Sequence, residues 1–238
     1  MMKPIALGLL LSAGLAAQPA PIFDGRSYLK AIQKPSKAEA ATVQAEVRQR
    51  SQEKFLKKRL EGLDAGKFEE AFEIRGVAAG SFTRAGAAQR AVLYRYSYTN
   101  GVVVLEGDKV VAHYSGDPGD YALYVAIFAA PDLNGNGLSE MVLLRNTEDT
   151  ADVYAYFFDS GKYQGATMVF TTNVRPGEDP PPNEKIQDLA YAVRAQGSKL
   201  QRETFRRGAK GPWTVKAGFA NFQLESKGRT DRLQRIDP

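Results

Sequence analysis

The chain has 238 residues, no cysteine, one histidine and a formal net charge of +5. Absence of thiols excludes a disulfide framework, thiolate metal sites, iron–sulfur clusters and a cysteine nucleophile, and a single imidazole excludes a histidine-rich transition-metal site. Charge is unevenly spread, with a net of +7 over residues 1–100, −9 over 101–193 and +7 over 194–238, so an acidic centre suited to cations lies between basic ends suited to polyanions.

Lys3, the apolar run Ile5–Leu15 and the small residues Ala16 and Ala17 have the order of a secretory signal over residues 1–17. The run is too short to cross a bilayer, and no second one follows. The expected protein is exported, periplasmic or extracellular, and is held together by its core or by a metal. Residues 18–66 read as a lead-in and helical arm, and 67–238 as a β domain.

Residues 22–35 have no clear period. Ser36 and Glu39 then form a capping-box pattern behind Pro35, which predicts a helix starting here and running to about Leu63, with Gly62 and Gly66 at its end. Val43 and Val47, then Leu56, Leu60 and Leu63, give it one narrow apolar face for docking.

From about Ala71 the period changes to two. Val92, Tyr94, Tyr96 and Tyr98 share one strand face and are expected to pack in the core, although exposed tyrosines would stack on sugars or bases. Asn100-Gly101 predicts a hairpin turn before Val102–Leu105, and Gly107-Asp108 another before Lys109–His113. His113, without a visible acid or nucleophile partner, reads as an ordinary surface or core residue. Further strands are expected over Tyr121–Phe128, Glu140–Leu144, Asp152–Phe158 and Ala166–Thr172. Pro176–Pro182 breaks the pattern, Leu189–Ala195 and Leu200–Arg206 flank a Gly197-Ser198 turn, and Trp213–Lys216 and Phe219–Leu224 supply two final strands.

One loop interrupts this pattern with chemistry. In Asp132-Leu-Asn134-Gly-Asn136-Gly137-Leu138-Ser-Glu140, oxygen side chains alternate, a glycine follows the third, and a carboxylate closes the run. A hard, oxygen-seeking cation such as Ca²⁺ is held by that spacing, with Asp132, Asn134, Asn136, the Leu138 carbonyl and Glu140 as its ligands. Position twelve from Asp132 is Leu143, and the flanks are strand-like, so an EF-hand is disfavoured. Asn-Gly sequences also make turns without any metal. Only two of the five ligands bring full charge, so affinity on the order of 10⁻⁵ to 10⁻³ M is expected.

Residues 128–144 resemble a single FG-GAP or VCBS repeat. The resemblance implies a calcium loop joining two neighbouring strands, as in the blades of integrin-type propellers, with the same five residues as ligands. No second copy is visible, and Asp117–Asp120 and Asp159–Gly161 are turns without the ligand spacing.

The fold class expected is mainly β, an antiparallel β-sandwich or propeller-like domain with an N-terminal helical arm. The function expected is that of an exported, non-enzymatic protein with a structural Ca²⁺ loop, acting by binding or assembly on an envelope protein or polymer. One alternative is a polyanion-binding module for DNA or acidic glycan, using Arg206, Arg207, Lys210 and Lys216 among interleaved aromatics. A hydrolase of envelope polymers is the weaker alternative, because Asp149/Asp152 and Glu178/Asp179 read as loop carboxylates.

Overall fold

A computed structural model of the protein describes residues 19–52, 68–96, 99–116, 123–146, 152–172, 187–208, 211–226 and 233–236. The expected signal, the helical arm beyond Gln52, Tyr98 and the proline-rich segment 176–182 lie outside the described residues. Among the described residues no helix is long and apolar enough to cross a membrane.

The chain is mainly β, in two antiparallel sheets. Strands β2 (Phe72–Gly80), β3 (Gln89–Tyr96), β4 (Thr99–Glu106) and β5 (Lys109–Ser115) form a meander, closed at its far edge by β13 (Gln234–Ile236). A second, longer meander runs through β6 (Leu123–Ala130), β7 (Glu140–Asn146), β8 (Val153–Asp159), β9 (Lys162–Thr172), β10 (Gln187–Gln196), β11 (Lys199–Gly208) and β12 (Thr214–Phe222). Strand β9 pairs with β10 only at Phe170–Thr172, and β1 (Phe23–Asp24) takes over beside Ala192 and Val193 of β10. The expected irregular lead-in is thus partly woven into the sheet.

Strand alternation explains how the layers stack. On β7, Met141 and Leu143 point into a core shared with Leu93, Val102, Val104 and Tyr114 of the first sheet. Val142 and Leu144 point the other way, into a core shared with Phe23, Val193 and Leu200. Two parts of one continuous sheet therefore face each other, and β6–β9 is a middle layer buried on both faces. A strand covered on both sides must be apolar at every position, and Met141–Leu144 is.

The outer face of the first sheet is covered by helix α1 (Lys37–Gln52), with the short helix α2 (Phe68–Ala71) beside it. The predicted capping box is present: Ser36 N–H donates to Glu39 Oε2 at 2.7 Å, and Glu39 N–H to Ser36 Oγ at 3.2 Å. Val43 and Val47 are fully buried against Val92, Tyr94, Tyr96 and Val103. Tyr94 and Tyr96 are therefore core residues.

Beneath α1 the single histidine joins a buried chain. Tyr94 Oη lies 2.7 Å from His113 Nε2, His113 Nδ1 lies 3.1 Å from Glu46 Oε1, and Arg50 Nε donates to the same oxygen at 2.9 Å. The His113 hydrogen bond, helped by Arg50, holds the Glu46 carboxyl below its usual range against the opposing effect of burial.

Two expected boundaries move. Asn100 and Gly101 lie inside β4, paired with Arg95 and Tyr94, not in a turn. A Cβ on Gly101 would fall 2.4 Å from the buried Tyr94 ring, so this glycine makes room for an aromatic cover. The two expected C-terminal strands are one, β12, because Gly218 stays extended and a bulge between Arg202 and Phe205 absorbs the irregularity.

Gly101→Ala is expected to cost about 1–3 kcal/mol by overpacking, and the cost should shrink in a Tyr94→Leu background. A double-mutant cycle by urea unfolding measures this, and equal losses in both backgrounds contradict the clash. For Glu46, a depressed folded pKa gives stability that is present above the ordinary glutamate value of about 4.3 and lost as pH falls toward the folded value. Melting temperature followed from pH 7 to pH 3 should therefore drop less steeply in Glu46→Gln than in the wild type.

Candidate metal centre

Strands β6 and β7 pair up to Ala130 and Glu140, leaving residues 131–139 as the connecting loop. The Asp132 carboxylate organises it. Its Oδ1 accepts the N–H groups of Asn134 (3.2 Å), Gly135 (2.7 Å) and Asn136 (3.2 Å), and its Oδ2 accepts that of Gly137 at 2.6 Å. These backbone donors hold the exposed carboxyl below its usual range, the Gly137 bond most strongly. Wrapping the chain around one side chain needs left-handed backbone at Gly135 (φ 81°) and Gly137 (φ 83°). Gly137 also passes close to Ala85, whose methyl would lie 2.9 Å from an added Cβ.

The two asparagines repeat the device on a smaller scale. Asn134 Oδ1 accepts Asn136 N–H at 3.0 Å, and Asn136 Oδ1 accepts Leu138 N–H at 2.8 Å. Each amide oxygen, and Asp132 Oδ2, accepts one backbone donor and retains a second lone pair. The Leu138 carbonyl accepts no hydrogen bond among the described residues.

Glu140 is 2% exposed, and both its oxygens accept Leu133 N–H, at 3.0 and 3.2 Å. Burial, with smaller contributions from the neighbouring Asp132 and Asp159 charges, pushes its carboxyl up to about 7. The five expected ligand residues thus occupy one loop. Among the described residues, no group of three or more His, Cys, Asp or Glu side chains is placed to hold a metal ion.

Asp159 was missed by sequence reasoning, which saw only a turn. It ends β8, just before the Ser160-Gly161 turn, where both residues have positive φ (48° and 82°). Pairing of Met141 with Phe158 brings it beside the start of β7. Its Oδ2 accepts Nδ2 of both Asn134 and Asn136, each at 2.9 Å. Aligning the apolar run Met141–Leu144 with Ala155–Phe158 is the one sequence signal that would have placed it there. A second tie joins the loop to the segment after β2, where Ser139 N–H donates to the Ser81 carbonyl at 2.9 Å and Ser81 N–H to Ser139 Oγ at 3.1 Å.

The loop also borders a cleft of about 720 Å³. Leu133, Asn134 and Glu140 line it from the loop, Ser198, Lys199 and Leu200 from the β10–β11 hairpin, and Asn221 to Leu224 from the end of β12. The last segment is fixed by paired backbone hydrogen bonds between Ala166 and Glu225, both 2.9 Å.

Other candidate residues lie elsewhere. Arg206 and Lys216 are exposed on β11 and β12, whereas Arg207 donates to Asp188 at 2.7 Å and covers the Trp213 ring at 4.5 Å. Asp152 accepts a hydrogen bond from Thr171 Oγ1. Lys210, Asp149, Glu178 and Asp179 lie outside the described residues.

Asp159→Ala removes the acceptor shared by the two amides. Amide hydrogen exchange over residues 133–138 should quicken at least several-fold in calcium-free buffer, as expected when a local tie is lost. Unchanged exchange there means that Asp132 alone orders the loop.

Comparison of the chain with family models, curated proteins and solved structures gives no match, so the FG-GAP/VCBS likeness stands on the residues of the loop alone.

Proposed function

We propose that the Asp132–Glu140 loop is a structural Ca²⁺ site in an exported, non-enzymatic β protein that works by binding or assembly. The observation carrying this reading is the gathering of Asp132, Asn134, Asn136, Leu138 and Glu140 into one turn, with Asp159 against its amides. The turn brings a buried glutamate close to two aspartates, whose charges oppose its ionisation. A divalent cation would offset the repulsion among the three carboxylates, and its oxygen shell could draw on the lone pairs the backbone leaves over. Calcium suits the donor set because it accepts many neutral oxygens in irregular geometry, and exported proteins meet it at millimolar level. The chain's own part is to hold the loop between β7, β8 and the segment after β2, so a cation there would staple three elements. Export rests on the pattern of Lys3, Ile5–Leu15 and Ala16–Ala17.

For the architecture, we favour a propeller-like stack over a two-sheet sandwich. Support comes from the order β2–β5, β6–β9, β10–β12, in which each meander packs on the next in sequence. The polyanion reading draws less support, since Arg207 is already engaged by Asp188 and Trp213.

Thermal unfolding in millimolar Ca²⁺ and in EDTA tests the site. With calcium about tenfold above its Kd, stability should rise by about 1.4 kcal/mol, or roughly 3–5 °C in melting temperature. The rise should vanish in Asp132→Ala. Identical melting of the wild type in both buffers would remove the calcium reading and leave the loop a turn.

A further inference from the structure

The cleft beside the loop has the size of a ligand site, about 720 Å³ against the 300–1,000 Å³ usual for small-molecule pockets. Its apolar surface comes from the half-buried Leu133, Phe222 and Leu224, and its polar lining includes four residues with side-chain amides: Asn134, Gln164, Asn221 and Gln223. An amide both donates and accepts. A sugar hydroxyl does the same, and the C–H face of a sugar ring is apolar, so the two kinds of surface match two sides of one saccharide. A peptide would instead be recognised chiefly through a ladder of backbone hydrogen bonds along a strand edge, which would not call on the amides and Lys199 that line this cleft.

Lys199 adds charge. It is exposed at the rim, in the hairpin between β10 and β11, and makes no ion pair among the described residues. Other cations of this layer are used internally: Arg207 on Asp188, Arg194 over Phe219 at 3.8 Å, and Arg26 over Phe205 at 3.6 Å. We propose that the cleft binds an acidic saccharide, whose carboxylate meets Lys199 and whose hydroxyls meet the amides of Gln164, Asn221 and Gln223.

This inference deepens the calcium reading and rests on it in one respect. Asp132, Glu140 and Asp159 would repel an anionic ligand from the loop side, and a cation held there cancels that repulsion. Binding is therefore calcium-dependent, whereas its dependence on Lys199 stands without calcium.

Isothermal titration of the full mature chain with trigalacturonate, in millimolar Ca²⁺ or in EDTA, tests the proposal. Maltotriose serves as the neutral saccharide and tri-aspartate as the acidic peptide. The expected result is trigalacturonate binding in calcium that weakens about tenfold in Lys199→Gln, the loss of one charged hydrogen bond, with maltotriose and tri-aspartate binding weaker still. Gln223→Ala, at another exposed position, should weaken it as well, and melting temperatures near wild type show that both variants fold. Equal affinity for wild type and Lys199→Gln, or tri-aspartate binding more tightly than the saccharide, overturns the proposal. Absent trigalacturonate binding in a protein that calcium stabilises overturns the cleft and leaves the calcium site standing. Lys199-dependent binding that is the same in calcium and EDTA, without calcium stabilisation, supports the cleft and removes the calcium site.

Discussion

The structure depends on a middle layer with no polar face. Burial of Met141 and Leu143 on one side and of Val142 and Leu144 on the other commits β7 to apolar residues throughout, and Ala155, Phe157 and Phe158 do the same for β8. Each fully buried side chain of this kind contributes about 1.5–3 kcal/mol, so these two strands anchor both neighbouring layers. The same constraint expels chemistry from the strands. Polar function is confined to their ends, and in a meander alternate connections emerge at the same end. The β6–β7 loop, the β8–β9 turn, the β10–β11 hairpin and the end of β12 meet there for that reason.

This geometry separates what the sequence disclosed from what it hid. Local signals were legible: Ser36 and Glu39 make the capping box, Gly107 and Gly197 take positive φ in hairpin turns, and the alternation at Tyr94 and Tyr96 is core alternation. Asp132 and the residues after it were legible because the loop closes on itself within nine positions. Asp159 was not, because its approach to Asn134 and Asn136 depends on strand register 23 to 25 residues away. Gly101 misled for a related reason. Its neighbour Asn100 makes a good turn sequence, yet the demand on the glycine comes from a ring on the paired strand.

Charge taught the same lesson in the basic C-terminal region. Arg206, Arg207, Lys210 and Lys216 among aromatics suggested a contact surface, and the structure engages Arg207 internally, as it does the nearby Arg194 and Arg202. Arg207 lies over Trp213, Arg194 over Phe219, and Arg202 within 5.1 Å of Phe222. A guanidinium over a ring covers apolar area while keeping its charge near water. The arginines thus finish the outermost layer, over which no further sheet lies among the described residues. Lys199 differs from them in lying exposed at a strand end, with no ring or carboxylate against it among the described residues.

The two ends of the stack are then unequal in what they can change. On the outer face of the first sheet, α1 is tied down by Val43 and Val47, buried in a core that also holds Tyr94, Val92 and Val103, and by the hydrogen bonds from Glu46 through buried His113 to Tyr94. Disturbing that contact disturbs the sheet. The Asp132 loop is exposed from Asn134 to Gly137 and is held by hydrogen bonds, with little apolar burial of its own. Segments of that kind open at low free energy without unfolding the rest. A cation on the loop would therefore act chiefly on local order, and through Leu133 and Asn134 on the shape of the cleft they line. The double-buried layer supplies the rigid frame, and its polar end is the part free to respond to a ligand.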